Sequence, residues 1–399
     1  MTKKYYINGP ESVYRLEGEI DGNKKIIYIF GENHSNYKEC ENYNNSIDID
    51  KYILKILKKN IKIDKNKFFD LFVEMYDEYR YEYNTNLKYD NHIDKIRKLV
   101  SHNTKIINDK IHINKDLINT RFHFFDIRNI FEKYLLDLDI IEEIIYNYCY
   151  YNDEYKLNYL KKNLYIFKER IYKFLKEEKL ISENNTINFN NIHNKYFNKI
   201  VNKYHNQNVK KIIIEIFIDY INNFLFLINK IDELINIIKN EIININNFDY
   251  TKINLSQYNE LKLNINNVIK SKIEYIIELY QITKLCITDL FLLRRILDKN
   301  YVNNIIIYTG DSHNFHIRTI LVKFFNFKIT QCYTNYNNLK INNTTNLQYI
   351  ENEYKIINKY NNNNMIELLY EYTALIKKLP INNDIKQCIN LFDFPNNFS

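Results

Sequence analysis

Two periodicities divide this chain: strand-like runs occupy both ends, and a helical repeat fills the middle. Residues 12–19 and 24–30 predict two strands around Asp21-Gly22, a pair suited to a two-residue hairpin turn. Ile47, Ile49, Tyr52, Ile53, Ile56 and Leu57 then fall at helical spacing and predict a helix over 47–60. The run Phe68-Phe69-Asp70-Leu71-Phe72-Val73-Glu74-Met75 is nearly continuous in apolar character, as a strand buried in a parallel sheet would be. A helix over 91–101 follows, and Arg121 to Arg128 predicts a third core strand that closes in Asp126 and Arg128.

From about 130 to 300 the Ile, Leu and Tyr positions recur with helical spacing and predict helices over 131–150, 154–180, 194–240 and 257–299. No Gly or Pro occurs there, so the breaks fall to Asn-rich segments such as Ser182 to Asn191 and Asn244 to Asn247. The strand pattern resumes at Asn304 to Thr309, followed by a helix from Ser312 or His313, a strand near 327–333 and an amphipathic helix over 364–378. Alternating strands and helices at both ends predict an α/β fold, a mostly parallel central sheet with flanking helices, interrupted by a large all-helical insertion. The expected division is 1–129 and 301–380 for the two parts of the α/β core, 130–300 for the insertion, and 381–399 for a C-terminal tail.

Candidate chemistry lies where two of the predicted strands end. Of five glycines, two open the same pattern: Gly31-Glu32-Asn33-His34 and Gly310-Asp311-Ser312-His313. Random placement of the glycines and histidines would give about 0.1 such G-x-x-H matches, which makes a chance pair a roughly 1% event. Glycine permits a sharp turn, and the histidine three residues on would then stand at the carboxyl edge of the sheet, where open α/β sheets bind ligands.

Glu74, Asp126 and Arg128 close neighbouring strands, and Glu32 and Asp311 lie inside the two turns. Imidazoles with carboxylates suit Zn²⁺, Mn²⁺, Co²⁺ or Fe²⁺, and such an ion would polarise a carbonyl and activate water. His316, one helical turn after His313, is a further candidate ligand, and Ser312 a candidate helix cap whose dipole would favour neutral His313. A metal-free account is equally open, with a histidine activated by Glu74 as general base and Arg128 stabilising an oxyanion. Blander readings stand beside these: Glu74 as a helix cap, Asp126 and Arg128 as a surface ion pair, His316 as packing, His123 as a satisfied mid-strand group, Arg294-Arg295 as a solvated face. His92, His102, His112, His193 and His205 carry no assigned role.

Composition narrows the classes. Asn, Ile, Lys and Tyr dominate, Trp is absent, and Ala374 is the single alanine, a bias toward A/T-rich codons expected of a large DNA virus or another A/T-rich genome. The net charge of +7 is spread along the chain, often beside acids, which argues against a nucleic-acid surface. Five scattered cysteines without C-x-x-C spacing argue against a disulfide framework and a thiolate zinc site. No apolar leader is visible after Met1, and the most apolar stretch, Ile212 to Ile228, carries Glu215 and Asp219, so no membrane span is expected. The expected place is cytoplasmic, the host cytoplasm if the source is viral.

Paired G-x-x-H motifs around a long helical region, with Glu74 ending an early core strand, resemble the superfamily that unites TraB/Tiki proteins, erythromycin esterases and ChaN-like haem-uptake proteins. Gly31-Glu32-Asn33-His34 looks like the G-E-x-H turn of the esterase and ChaN branches, and Gly310-Asp311-Ser312-His313 like the second TraB/Tiki motif. The resemblance covers roughly 24–34, 68–78, 121–128 and 304–325. It implies that His34, Glu74 and His313 form the catalytic or metal-binding set, with Arg128 a weaker carry-over and Gly31, Glu32, Asp126, Gly310, Asp311 and His316 in support. The branches differ in chemistry: metal-dependent peptidases, lactone esterases without a metal, and proteins associated with haem or iron. The expectation is therefore a hydrolase of an amide or ester bond in a small molecule or peptide, with a non-enzymatic interaction protein on a degenerate hydrolase scaffold, binding its partner through the helical insertion, as the alternative.

Overall fold

The computed structural model describes residues 6–33, 46–63, 66–76, 92–107, 110–131, 154–189, 192–247 and 255–334, with short pieces at 351, 354–355, 357–358, 369–370 and 388–390. In chain order the strands are β1 (Tyr6–Asn8), β2 (Ser12–Ile20), β3 (Asn23–Glu32), β4 (Ser46–Asp48), β5 (Phe69–Tyr76), β6 (Thr104–Ile107), β7 (Lys110–Ile113), β8 (Thr120–Asp126), β9 (Asn304–Gly310), β10 (Lys328–Thr334) and β11 (Cys388–Asn390). The α-helices are α1 (Ile49–Ile63), α2 (His92–Asn103), α3 (Glu154–Glu177), α4 (Lys195–Asn202), α5 (Gln207–Asn246), α6 (Leu255–Asp298) and α7 (Asp311–Phe325). The fold is mixed α/β around a mainly parallel six-stranded sheet of order β10-β2-β3-β9-β5-β8. Strands β3, β9, β5 and β8 run parallel, and β2 joins β3 antiparallel through the expected hairpin. Asp21 and Gly22 both take positive φ in that turn, +49° and +76°, as a two-residue turn matched to strand twist requires.

Contacts divide the chain into two units, Met1–Ile127 with Tyr204–Ile212 and Thr288–Ser399, and Arg128–Lys203 with Ile213–Ile287. In the first, side chains alternate across the sheet, so register decides which residues share a face. Val13, Phe30, Tyr308 and Val73, with Tyr28, Ile306 and Leu71, share a core with Ile49, Ile53, Ile56 and Leu57 of α1 and Ile93, Ile96 and Val100 of α2. Burying each such aliphatic side chain contributes about 1.5–3 kcal/mol, which makes this cluster the main anchor of the sheet. The register gives Ile29, Ile307 and Phe72 to the opposite face. Helix α7 packs against β2, β3 and β9, and its residues from His313 to Leu321 are all buried.

A second set of polar groups sits at the start of β5 and β8. Asp70, fully buried, accepts from Arg121 Nε and Nη2 at 2.7 and 2.6 Å, and its Oδ1 lies 2.7 Å from His123 Nε2. His123 is thus the satisfied mid-strand group expected. Arg121 also lies over the rings of Phe68 and Tyr301, 5.1 and 4.7 Å from their centroids.

In the second unit, Phe131, Phe174, Phe197 and Phe224 form a cluster of tilted and edge-to-face rings. Helix α5 is long and apolar enough to cross a membrane by length and composition. Its apolar residues nevertheless form a helical stripe (Ile213, Phe217, Tyr220, Phe224, Leu227, Ile231, Leu234 and Ile238) that is buried in the protein, as in an amphipathic core helix. The expected single helix over 194–240 is in fact two, α4 and α5, because Lys203 to Asn206 leave helical geometry. Asp298 accepts the main-chain N–H groups of His205 and Asn206 there, and Asn206 Oδ1 accepts from Val209 N as a cap for α5. Of the expected helix 131–150 only Phe131 falls within the described residues, and of the helix 364–378 only Leu369 and Tyr370.

Candidate functional site

The parallel pairing of β3 with β9 sets Gly31 against Thr309 and Glu32 against Gly310, so the two G-x-x-H motifs open side by side at the carboxyl edge. The glycines earn their place differently from the sharp turn expected. Gly310 has φ −64° and ψ 152°, an ordinary extended conformation. Gly31 remains in the strand, and a Cβ there would come within 2.5 Å of Asp311 Oδ1, 2.6 Å of Ser12 Oγ and 2.7 Å of Asn314 Nδ2. Close approach of α7 to the sheet is what excludes a side chain at Gly31.

His313 is 2% exposed, in the first turn of α7. Its Nδ1 lies 2.6 Å from Asp289 Oδ1, and its Nε2 lies 3.6 Å from Glu74 Oε1, with no hydrogen-bond partner among the described residues. Glu74 is itself buried: Oε2 accepts from Gly310 N at 2.9 Å and Thr309 Oγ1 at 3.0 Å, while its main-chain oxygen accepts from Arg97. Glu74 thus reaches across to the neighbouring strand. That contact also displaces the expected cap, for the N–H before α7 goes to Glu74 and the helix starts at Asp311 with Gly310, not Ser312, as N-cap.

The helix dipole was expected to favour neutral His313, and the site does the reverse. Burial pushes its pKa down, but Asp289 and then Glu74 outweigh burial and raise it to about 10. Two carboxylates at contact range act more strongly than the partial charge of a helix end. His316 is fully buried one turn on, with Nδ1 2.7 Å from Asp289 Oδ2.

The remaining candidates separate by face. Glu32 shares the face of Phe30 and Tyr308, where its Oε2 accepts the Tyr308 hydroxyl at 2.5 Å. Burial, and after it Glu32, raises the Tyr308 pKa well above the ordinary phenol value. Asp311 accepts the hydroxyl of Ser12, which also accepts from Asn314 Nδ2 at 2.7 Å. These two motif carboxylates thus fasten the ends of β2, β9 and α7. Asp126 is buried at the end of β8, opposite Tyr76. Arg128 is half-buried at the first position of the second unit, where its carbonyl accepts from Phe131 N. His34 lies outside the described residues, which stop at Asn33. Arg294 is not on a solvated face: it is buried, and burial lowers its pKa.

Sequence reasoning missed Asp289, which belongs to α6 and is fully buried. Its signal was present: a carboxylate inside Ile287-Thr288-Asp289-Leu290-Phe291-Leu292-Leu293 needs a buried partner. Ser12, Asn314 and Arg318 gave no such signal. Arg318 is fully buried over the ring of Tyr14, with the guanidinium carbon 4.0 Å from the ring centroid. Among the described residues no group of three or more His, Cys, Asp or Glu is arranged to hold a metal ion.

Similarity runs through most of the chain's length. "Uncharacterized protein R706" of Acanthamoeba polyphaga mimivirus is 28% identical over 441 aligned residues, covering 98% of this chain and 96% of that protein. "Uncharacterized protein R160" of the same virus is 27% identical over 454, covering 98% and 97%. A shorter match, "Uncharacterized protein R129" of that virus, is 36% identical over 150 residues, 35% of this chain and 82% of the relative. No solved structure matches the chain. The model of one family, described as "Family of unknown function (DUF5847)", matches residues 5–399, and the chain belongs to that family.

Proposed function

We propose that the chain is a hydrolase of an amide or ester bond in a small-molecule or peptide substrate, working through His34, Glu74 and His313 at the carboxyl edge of the sheet. The observation that carries this reading is the buried Nε2 of His313, 3.6 Å from Glu74 Oε1 and without a hydrogen-bond partner among the described residues. A polar atom left so in a buried setting costs about 1–3 kcal/mol unless something else engages it.

That pair fits part of a metal centre. Adjacent ligands of a tetrahedral ion, each bound at about 2.0–2.2 Å, are about 3.4 Å apart, close to the separation seen. His313 and Glu74 would supply two ligands, with His34 proposed as the third. A divalent Zn, Mn, Co or Fe ion would act as a Lewis acid toward the scissile carbonyl and make water nucleophilic at neutral pH. The chain's own groups do the rest. Thr309 Oγ1 and Gly310 N hold Glu74 Oε2, so Oε1 is directed at His313. Without a metal, a His313 pKa raised to about 10 would favour proton donation to a leaving group over the role of general base.

The test is hydrolysis of chromogenic ester and anilide substrates before and after loading with Mn²⁺, Co²⁺ or Zn²⁺, beside Glu74→Gln and His313→Gln. The proposal expects turnover in the wild type and a loss of at least about 100-fold in both variants, each checked for native circular dichroism. Turnover unchanged in folded variants would contradict it. No turnover under any condition would favour the degenerate-scaffold alternative.

A further inference from the structure

Asp289 stands out among the buried groups because each of its oxygens meets a different imidazole. Oδ1 lies 2.6 Å from His313 Nδ1 and Oδ2 lies 2.7 Å from His316 Nδ1, while the carboxylate itself is fully buried. An ionised carboxylate only accepts, so both rings must carry their proton on Nδ1. In His313 that turns the other nitrogen, Nε2, toward Glu74.

We infer that Asp289 is the positioning residue of this site: through the Nδ1–H groups of His313 and His316 it fixes the ring plane that aims His313 Nε2 at Glu74. The inference rests on the reading of His313 and Glu74 as the working pair. Three features distinguish it from a plain tie between α6 and α7. The contacts run in line, from Asp289 through His313 to Glu74. The far carboxylate is itself pinned by Gly310 N and Thr309, so both neighbours of the ring are fixed. The ring nitrogen that faces Glu74, Nε2, lacks a hydrogen bond among the described residues. Carboxylates that hold the remote nitrogen of a ligating histidine typically change metal affinity by 10–100-fold when removed.

The experiment compares wild type, Asp289→Asn and Asp298→Asn. Asn is close in size to Asp but replaces one acceptor oxygen with a donor, so it cannot accept from both rings. Asp298 is the control: it lies on the same helix, is equally hidden, and ties down His205 and Asn206 without touching either imidazole. With Co²⁺ alone as probe, Asp289→Asn is expected to weaken binding by about 10–100-fold, while Asp298→Asn lowers the melting temperature and leaves Co²⁺ affinity unchanged. Equal Co²⁺ affinity in wild type and a folded Asp289→Asn would overturn the inference.

A wild type that binds no Co²⁺ would sink the metal reading but not this one, which then rests on metal-free ¹⁵N-histidine spectra. There the His313 ring signals should respond to Glu74→Gln in the wild-type background and not in Asp289→Asn. The same response in both backgrounds would reduce Asp289 to a structural tie. Should Asp289→Asn fail to fold, His316→Asn, which spares the Asp289–His313 contact, takes its place. The Glu74→Gln response of His313 should then persist, and its loss would refute the assignment of that contact as the one that aims the ring.

Discussion

A buried imidazole between two buried carboxylates stabilises the fold only while it is charged. His313 has its pKa raised to about 10, so its contribution is fully present below the ordinary histidine value of 6.5 and is lost as pH rises toward 10. Metal-free protein is therefore expected to lose urea resistance between those pH values, and His313→Gln to flatten that alkaline limb. Identical limbs in the two proteins would refute the charged-imidazole account. Gly31 offers a second residue-level prediction, since an added Cβ would press on three polar atoms of Ser12, Asp311 and Asn314. Gly31→Ala should cost about 1–3 kcal/mol through overpacking, measured by denaturant unfolding, and a neutral result would mean that α7 can shift away from the sheet. At this scale His313 and Glu74 were legible because glycine, histidine and strand end coincide in sequence. The partners of Asp289 were not, because they lie 24 and 27 residues away on another helix.

At the scale of elements, local signals sufficed where they were self-contained. Asp21-Gly22 wrote the β2–β3 turn, and the Phe68 to Met75 run wrote a strand with parallel neighbours on both sides. They failed where a distant side chain decided the outcome. The break between α4 and α5 depends on Asp298, some 90 residues later in the chain, and the start of α7 depends on Glu74. The faces of the sheet were equally hidden, since Glu32 goes to Tyr308 by strand parity and not to His313. Strands β5 and β8 are joined at their beginning by Asp70, whose pKa burial would raise but which His123 and Arg121 hold below its usual 3.8. Its contribution is present above pH 3.8 and is lost as pH falls through the lower folded value. Asp70→Asn is expected to cost about 3–5 kcal/mol at pH 7, because Arg121 and His123 lose a buried partner, and to cost less in acid. A small and pH-independent loss in urea titrations would show that the clamp adds nothing to the sheet.

The whole molecule joins a sheet unit, built from both ends of the chain, to a unit that is mostly helical in its described residues. The second has its own aromatic core, and Phe174→Ala there should cost about 3–5 kcal/mol in thermal or denaturant unfolding. A loss below about 1 kcal/mol would mean that this ring cluster is not a true core. In the sheet unit, the pairing of β3 with β9 sets side by side the opening residues of two motifs that are 279 residues apart in sequence, the feature on which the functional reading depends. The most direct measurement is elemental analysis by plasma mass spectrometry of purified wild type, His34→Ala and His313→Ala after Mn²⁺, Co²⁺ or Zn²⁺ loading. The account predicts close to one transition-metal ion per chain in the wild type and its loss in both folded variants. No metal in the wild type, or metal retained in either variant, would contradict a single composite site shared by the two motifs.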